Sequence, residues 1–73
     1  MDVRTQAEFG SASAPGCRNI ALAELKSRLD ELPKNVPLVL CCASGTRSGM
    51  ACSVLKSNGF AEVYNAGNWR NLL

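Results

Sequence analysis

Residues 38–48 read Leu-Val-Leu-Cys-Cys-Ala-Ser-Gly-Thr-Arg-Ser. Leu38, Val39 and Leu40 form a short apolar run with high strand propensity. Cys41 and Cys42 follow at once, then the small residues Ala43, Ser44, Gly45 and Thr46, then Arg47. Beyond Arg47 the apolar spacing turns helical. The stretch therefore predicts a strand, a tight loop and a helix. It puts a thiol at the carboxyl end of the strand and an arginine in the first turn of the helix. In an open α/β sheet that strand end is where ligands bind.

A thiol becomes a good nucleophile only when deprotonated, and its pKa falls near a helix N-terminus or a cation. Small residues and a glycine let a short loop curl so that backbone N–H groups turn inward and cradle an anion. Arg47 adds a full charge and a planar donor fork suited to sulfur or phosphorus oxyanions. A thiolate in such a cradle is set to attack an anionic electrophile and hold the product covalently. The competing reading of a strand-end cysteine is a small buried hydrophobe. That reading suits Cys41, whereas the glycine and arginine at fixed spacing favour chemistry at Cys42.

The rest of the composition narrows the classes. A chain of 73 residues makes one small domain with a thin core. Its 47% hydrophobic content argues against disorder. There is no Lys/Arg run and no interleaving of aromatic with basic residues, so nucleic acid is not an expected partner. No apolar stretch approaches the ~18 residues needed to cross a bilayer. Met1-Asp-Val-Arg4 does not open like a signal peptide. Four cysteines are present without a Cys-x-x-Cys, and two of them are neighbours. A disulfide framework or zinc ribbon is disfavoured, and a reducing, cytoplasmic compartment is expected. The chain has no histidine, which removes Cys-His pairs and the commonest metal ligand. Activation of the thiol must come from backbone dipoles and arginine, with no metal and no cofactor expected.

Along the chain, Thr5 is expected to cap a short helix over residues 6–9, with Glu8 completing a capping box and Gly10 ending it. Leu22, Leu25, Leu29 and Leu32 fall on one face of a helix that Pro33 stops, and Glu24 is spaced to pair with Arg28. A helix over about 48–57 is expected to bury Met50, Ala51, Val54 and Leu55. Asn58-Gly59 ends it, Phe60 folds back, residues 63–65 form a strand, Ala66-Gly67 turns, and a last helix starts at Trp69.

Cys42-Ala-Ser-Gly-Thr-Arg47 resembles the active-site loop of the rhodanese family of sulfurtransferases, including the glycine three places after the cysteine. Read from Cys41, the loop has the five-residue spacing of cysteine-dependent phosphatases, a class of which shares the rhodanese fold. Asp2-Val3-Arg4 with Glu8-Phe9 resembles the end of the family's first strand and its first helix. Gly16-Cys-Arg-Asn-Ile-Ala-Leu22 resembles the short strand before the second helix. Gly59-Phe-Ala-Glu-Val-Tyr-Asn-Ala-Gly67 resembles a further family segment, with Gly67-Asn68 standing where Gly-Gly is usual. The likeness runs along nearly the whole chain. It implies a single rhodanese-like domain over residues 1–73, trimmed at both ends relative to the family.

The resemblance implies an α/β fold, with a mostly parallel sheet of four or five strands and helices on both faces. It implies a sulfurtransferase in which Cys42 takes a sulfane sulfur from thiosulfate or a persulfide donor. Cyanide, a thiol or a protein thiol would accept that sulfur. Ala43, Ser44, Gly45, Thr46, Arg47 and Ser48 would hold the anion. Arg47 would orient it and keep Cys42 ionised, and Ser48 would cap the helix and donate to the loop. Asp2 and Arg4 match family positions near the site, where a structural ion pair is the competing role. Ala43 brings no second cation to the loop, so thiosulfate is expected to be a poor donor. The other readings are a small phosphatase using Cys41, with Asp2 or Glu8 as its acid, and a non-catalytic binding module.

Overall fold

The computed structural model describes residues 1–73. Strand β1 (Leu38–Cys42) pairs in parallel with β2 (Val63–Asn68). Helix α2 (Thr46–Ser57) makes the crossover between them. Pairing extends beyond these two strands. Asp2 bridges Cys41 on one side and Asn19 on the other, both in parallel. Val3 N–H donates to the Cys41 carbonyl at 2.9 Å, and Ile20 N–H donates to that of Asp2 at 3.1 Å. The expected parallel sheet is thus present as four adjoining segments, of which two are long enough to be regular strands. No helix is long and apolar enough to cross a membrane.

Strand alternation sends Leu40 and Cys42 to one face and Cys41 to the other. The first face carries the core. Val3, Ile20, Leu25, Leu40, Cys42, Ala51, Leu55 and Phe60 form one buried cluster. Each large aliphatic side chain in it contributes roughly 1.5–3 kcal/mol through lost contact with water. Asp2 and Arg4 are buried as well, and Trp69 lies between Arg4 and Arg70, with guanidinium carbons 4.8 and 4.6 Å from its ring centre.

Several elements differ from the sequence-based expectation. The leucine-striped segment Leu22–Glu31 is 3-10 helix with a break at Arg28 (φ −125°). Residues three apart eclipse in that geometry. Arg28 accordingly pairs with Glu31 at 2.8 Å and not with Glu24, and Glu31 also receives Arg18. Leu25 and Leu32 are still buried, and Leu22 and Leu29 pack against the cluster. Helix α1 (Gln6–Ser11) runs past Gly10, with Thr5 and Glu8 forming the capping box. Helix α2 buries Ser48, Ala51, Cys52 and Leu55, spaced at three, four and seven residues. Met50 lies off that stripe and is 57% exposed, contrary to expectation. The Ala66-Gly67 turn is instead a bulge in β2. The register passes from Leu40–Asn65 to Cys41–Gly67 and leaves Ala66 unopposed. Phe60 does fold back, its N–H reaching the Leu55 carbonyl at 3.0 Å across the Gly59 turn.

Candidate active site

The end of β1, the loop and the start of α2 close around the Cys42 sulfur. Gly45 N–H donates to Sγ at 3.0 Å and Ser48 N–H at 3.4 Å, with Ser48 Oγ at 3.3 Å. The loop curls this tightly because Gly45 has φ +96°, a conformation that a side chain disfavours. A Cβ there would also stand 3.3 Å from Gly67 Cα in the neighbouring strand. Gly45 is the residue that caps α2. The helix starts at Thr46, so Ser48 lies inside the first turn and does not cap it. Its N–H is one of the free donors of that turn, and it points at the sulfur.

These donors set the thiol's acidity. Burial alone would raise it, since the residue has no exposed surface. The hydrogen bond shared with the Ser48 side chain and those donated by the Ser48 and Gly45 N–H groups outweigh burial and bring Cys42 down to about 7. Cys41, one residue earlier, behaves oppositely. Burial and the neighbouring Asp2 carboxylate push it up to about 11. Adjacent thiols on opposite faces of one strand are thus shifted in opposite directions, Cys42 towards the thiolate and Cys41 towards the thiol. Alkylation of Cys42 by iodoacetamide should show a midpoint near pH 7. A midpoint at the ordinary thiol value would mean the amides do not stabilise the anion.

Arg47 is not directed at the sulfur. Its guanidinium makes a bidentate pair with Glu8 of α1, at 2.6 and 2.9 Å. Sequence reasoning placed Glu8 in the helix cap, or as an acid in the Cys41 reading, and did not pair it with Arg47. It fills that role too, accepting from Thr5 N–H and Thr5 Oγ1 at 3.0 Å. The Arg47 hydrogen bond, then the Thr5 N–H, lower the Glu8 carboxyl to about 2. A group so depressed stabilises the fold above its ordinary value of 4.5, and that stabilisation is lost as pH falls towards 2. The urea midpoint should therefore decline with acid across this window, and the decline should shrink in Glu8→Gln. An unchanged slope in the variant would place the acid sensitivity elsewhere.

Other parts of the expected site also find defined places. Asp2 receives Arg4 through three side-chain contacts of 2.7–3.0 Å, and Arg4 also donates to the Ala12 carbonyl. Both are buried and engaged with each other, and neither hydrogen-bonds the Cys42 sulfur. Ala43 and Ser44 are exposed, and the Ala43 carbonyl accepts from Asn68. Ser44 Oγ lies 3.4 Å from Thr46 Oγ1. Asn65 was missed by the sequence reading. From β2 it donates to the Gly45 carbonyl at 2.9 Å and accepts from Ser48 Oγ at 2.6 Å. Its place beside the loop depends on strand pairing, which no local pattern records. An apolar cleft of about 300 Å³ adjoins the loop, lined by Val3, Thr5, Ala21, Leu22, Ala23 and Arg47. No three metal-ligating side chains converge anywhere in the structure.

The fold and site together are those of a parallel α/β domain with a thiol at a strand end, facing the first turn of the crossover helix. The chain belongs to the rhodanese-like domain family, whose model matches residues 1–68. It is 42% identical over 65 residues to the uncharacterized protein YqhL of Bacillus subtilis (strain 168), covering 89% of this chain and 52% of YqhL. It is 32% identical over 74 residues to the thiosulfate sulfurtransferase PspE of Escherichia coli (strain K12), covering 99% of this chain and 71% of PspE. A rhodanese-like domain protein of Staphylococcus aureus superposes with a TM-score of 0.87 at 27% identity, over 97% of this chain and 69% of that one. The chain thus spans about half the length of YqhL.

Proposed function

We propose that this domain is a sulfurtransferase that carries sulfane sulfur on Cys42. The observation behind this reading is the pair of N–H groups, from Gly45 and Ser48, aimed at Sγ at 3.0 and 3.4 Å. They stabilise the attacking thiolate and, after transfer, a charged persulfide. With thiosulfate, the Cys42 thiolate attacks the outer sulfur and a new S–S bond forms. The original S–S bond breaks and its electron pair leaves on sulfite. Cyanide or a thiolate then attacks the terminal sulfur of the persulfide and returns the Cys42 thiolate. The name of PspE supports thiosulfate as one donor.

Two features refine the donor. Cys42 has no exposed surface in the structure, so attack requires the groups around the sulfur to open. The loop's one cation is already paired with Glu8. A doubly charged donor therefore meets amides but no free guanidinium, which favours a persulfide over thiosulfate. Loading is tested by intact mass after incubation with thiosulfate or an organic persulfide. One added sulfur atom, removed by cyanide, is expected. Absence of the adduct with both donors would overturn the reading.

The phosphatase reading through Cys41 has less support. That thiol is held protonated, and its face is shared with Asp2 rather than the loop amides. Glu8 is held ionised by Arg47, and Asp2 is bound by Arg4, so neither stands ready to protonate a leaving group.

A further inference from the structure

The Ser48 hydroxyl carries one proton and faces two acceptors. It lies 2.6 Å from Asn65 Oδ1 and 3.3 Å from Cys42 Sγ. The orientation of the Asn65 amide is fixed by its other bonds. Nδ2 donates to the Gly45 carbonyl at 2.9 Å, and Oδ1 accepts from Gly67 N–H at 2.9 Å. Oδ1 can therefore only accept from Ser48, and the short contact takes the hydroxyl proton. While that bond stands, Ser48 offers the sulfur a lone pair and no proton. A thiol satisfies the arrangement by donating S–H to Oγ. A thiolate cannot, because its electron pair would face that of Oγ.

We infer that Asn65 is a positioning residue for Cys42, drawing the Ser48 proton to itself in the resting thiol and releasing it when the sulfur ionises. The hydroxyl then rotates from Oδ1 to Sγ, and the cysteine proton leaves to water or buffer. The rotation is inexpensive because Oδ1 keeps the Gly67 N–H and is not left bare. Asn65 thus opposes ionisation, and Ser48 assists it only after giving up Asn65. The inference goes beyond the proposed sulfur chemistry and needs no turnover to test.

Other groups around the sulfur do not imitate this behaviour. Arg47 is paired with Glu8 on α1, and Asp2 with Arg4 on the N-terminal segment. Glu8 titrates far below neutrality, and Cys41 on β1 far above it.

The test is the pH dependence of Cys42 alkylation, read peptide by peptide because Cys17 is also partly exposed. In Asn65→Ala the hydroxyl is free to serve the thiolate, so the Cys42 midpoint should move down. A shift of one pH unit gives tenfold more thiolate at low pH. Because a less basic thiolate is less reactive, the alkylation rate rises about threefold there. In a Ser48→Ala background the downward shift should vanish, the double variant keeping the midpoint of Ser48→Ala alone. If Asn65 merely braces the loop, Asn65→Ala loosens the amides and the midpoint moves up, which overturns the inference. Should Asn65→Ala fail to fold, Asn65→Asp supplies the second measurement. Its carboxylate holds the Ser48 proton harder and should raise the midpoint, and this rise should be smaller in a Ser48→Ala background. An equal rise in both backgrounds would show charge alone at work and would also overturn the inference.

Discussion

Cys42→Ser is expected to abolish the sulfur adduct altogether, whereas Cys41→Ser should leave most of it. The contrast follows from side-chain direction. Cys42 lies on the face of β1 that meets the loop amides and is brought to about 7. Cys41 points to the other face, beside Asp2, and is pushed up to about 11. At neutral pH the first thiol is thus about half ionised, while the second holds roughly one part in ten thousand as thiolate. Serine at residue 42 keeps the size and the hydrogen bonds but has no comparably acidic proton. Intact mass of both variants after donor treatment, with peptide mapping of the adduct, is the measurement. An adduct that survives Cys42→Ser and disappears in Cys41→Ser would transfer the chemistry to the other frame of the loop.

The second large effect is on stability. Asp2→Ala leaves the Arg4 guanidinium buried without its carboxylate. Asp2 is wholly buried and Arg4 is 5% exposed. Breaking one side of a buried pair costs about 3–5 kcal/mol. A domain of 73 residues has of the order of 4–11 kcal/mol in total. The variant should therefore unfold at much lower urea, or not fold at physiological temperature. Asp2→Asn, which keeps acceptor capacity at the same place, should cost less. Urea unfolding followed by circular dichroism decides it. A loss in Asp2→Ala of under about 1 kcal/mol would mean that Arg4 finds water or other acceptors, as an exposed pair would allow. Asp2 and Arg4 also tie the N-terminal segment to Asn19 and to Trp69, so their role is to hold the sheet behind the loop.

The strand, the glycine loop and the crossover helix were legible in residues 38–57 because each is specified by near neighbours. An apolar run, small residues ending in a glycine, and a helical apolar stripe all act within a few positions. The Thr5–Glu8 capping box and the Gly59–Phe60 reversal were legible for the same reason. Met50 was misplaced because the buried stripe of α2 is Ser48, Ala51, Cys52 and Leu55, whose small members Ser48 and Cys52 an apolar pattern does not mark, and Met50 lies off it. The Glu24–Arg28 pair failed because it assumed α-helical spacing in a segment that winds as 3-10 helix.

Local order along the chain was enough to place a thiol at a strand end, give it a glycine-bent loop and set an arginine five residues later. Which charge that arginine meets, and which amide governs the serine beside the sulfur, depended on packing. Glu8 reaches Arg47 from 39 residues away, and Asn65 reaches Ser48 from 17. Contacts at such separations exist only once α1 has docked and β2 has paired with β1. Hydrogen bonds and ion pairs act over a few ångströms in space, whatever the distance along the chain.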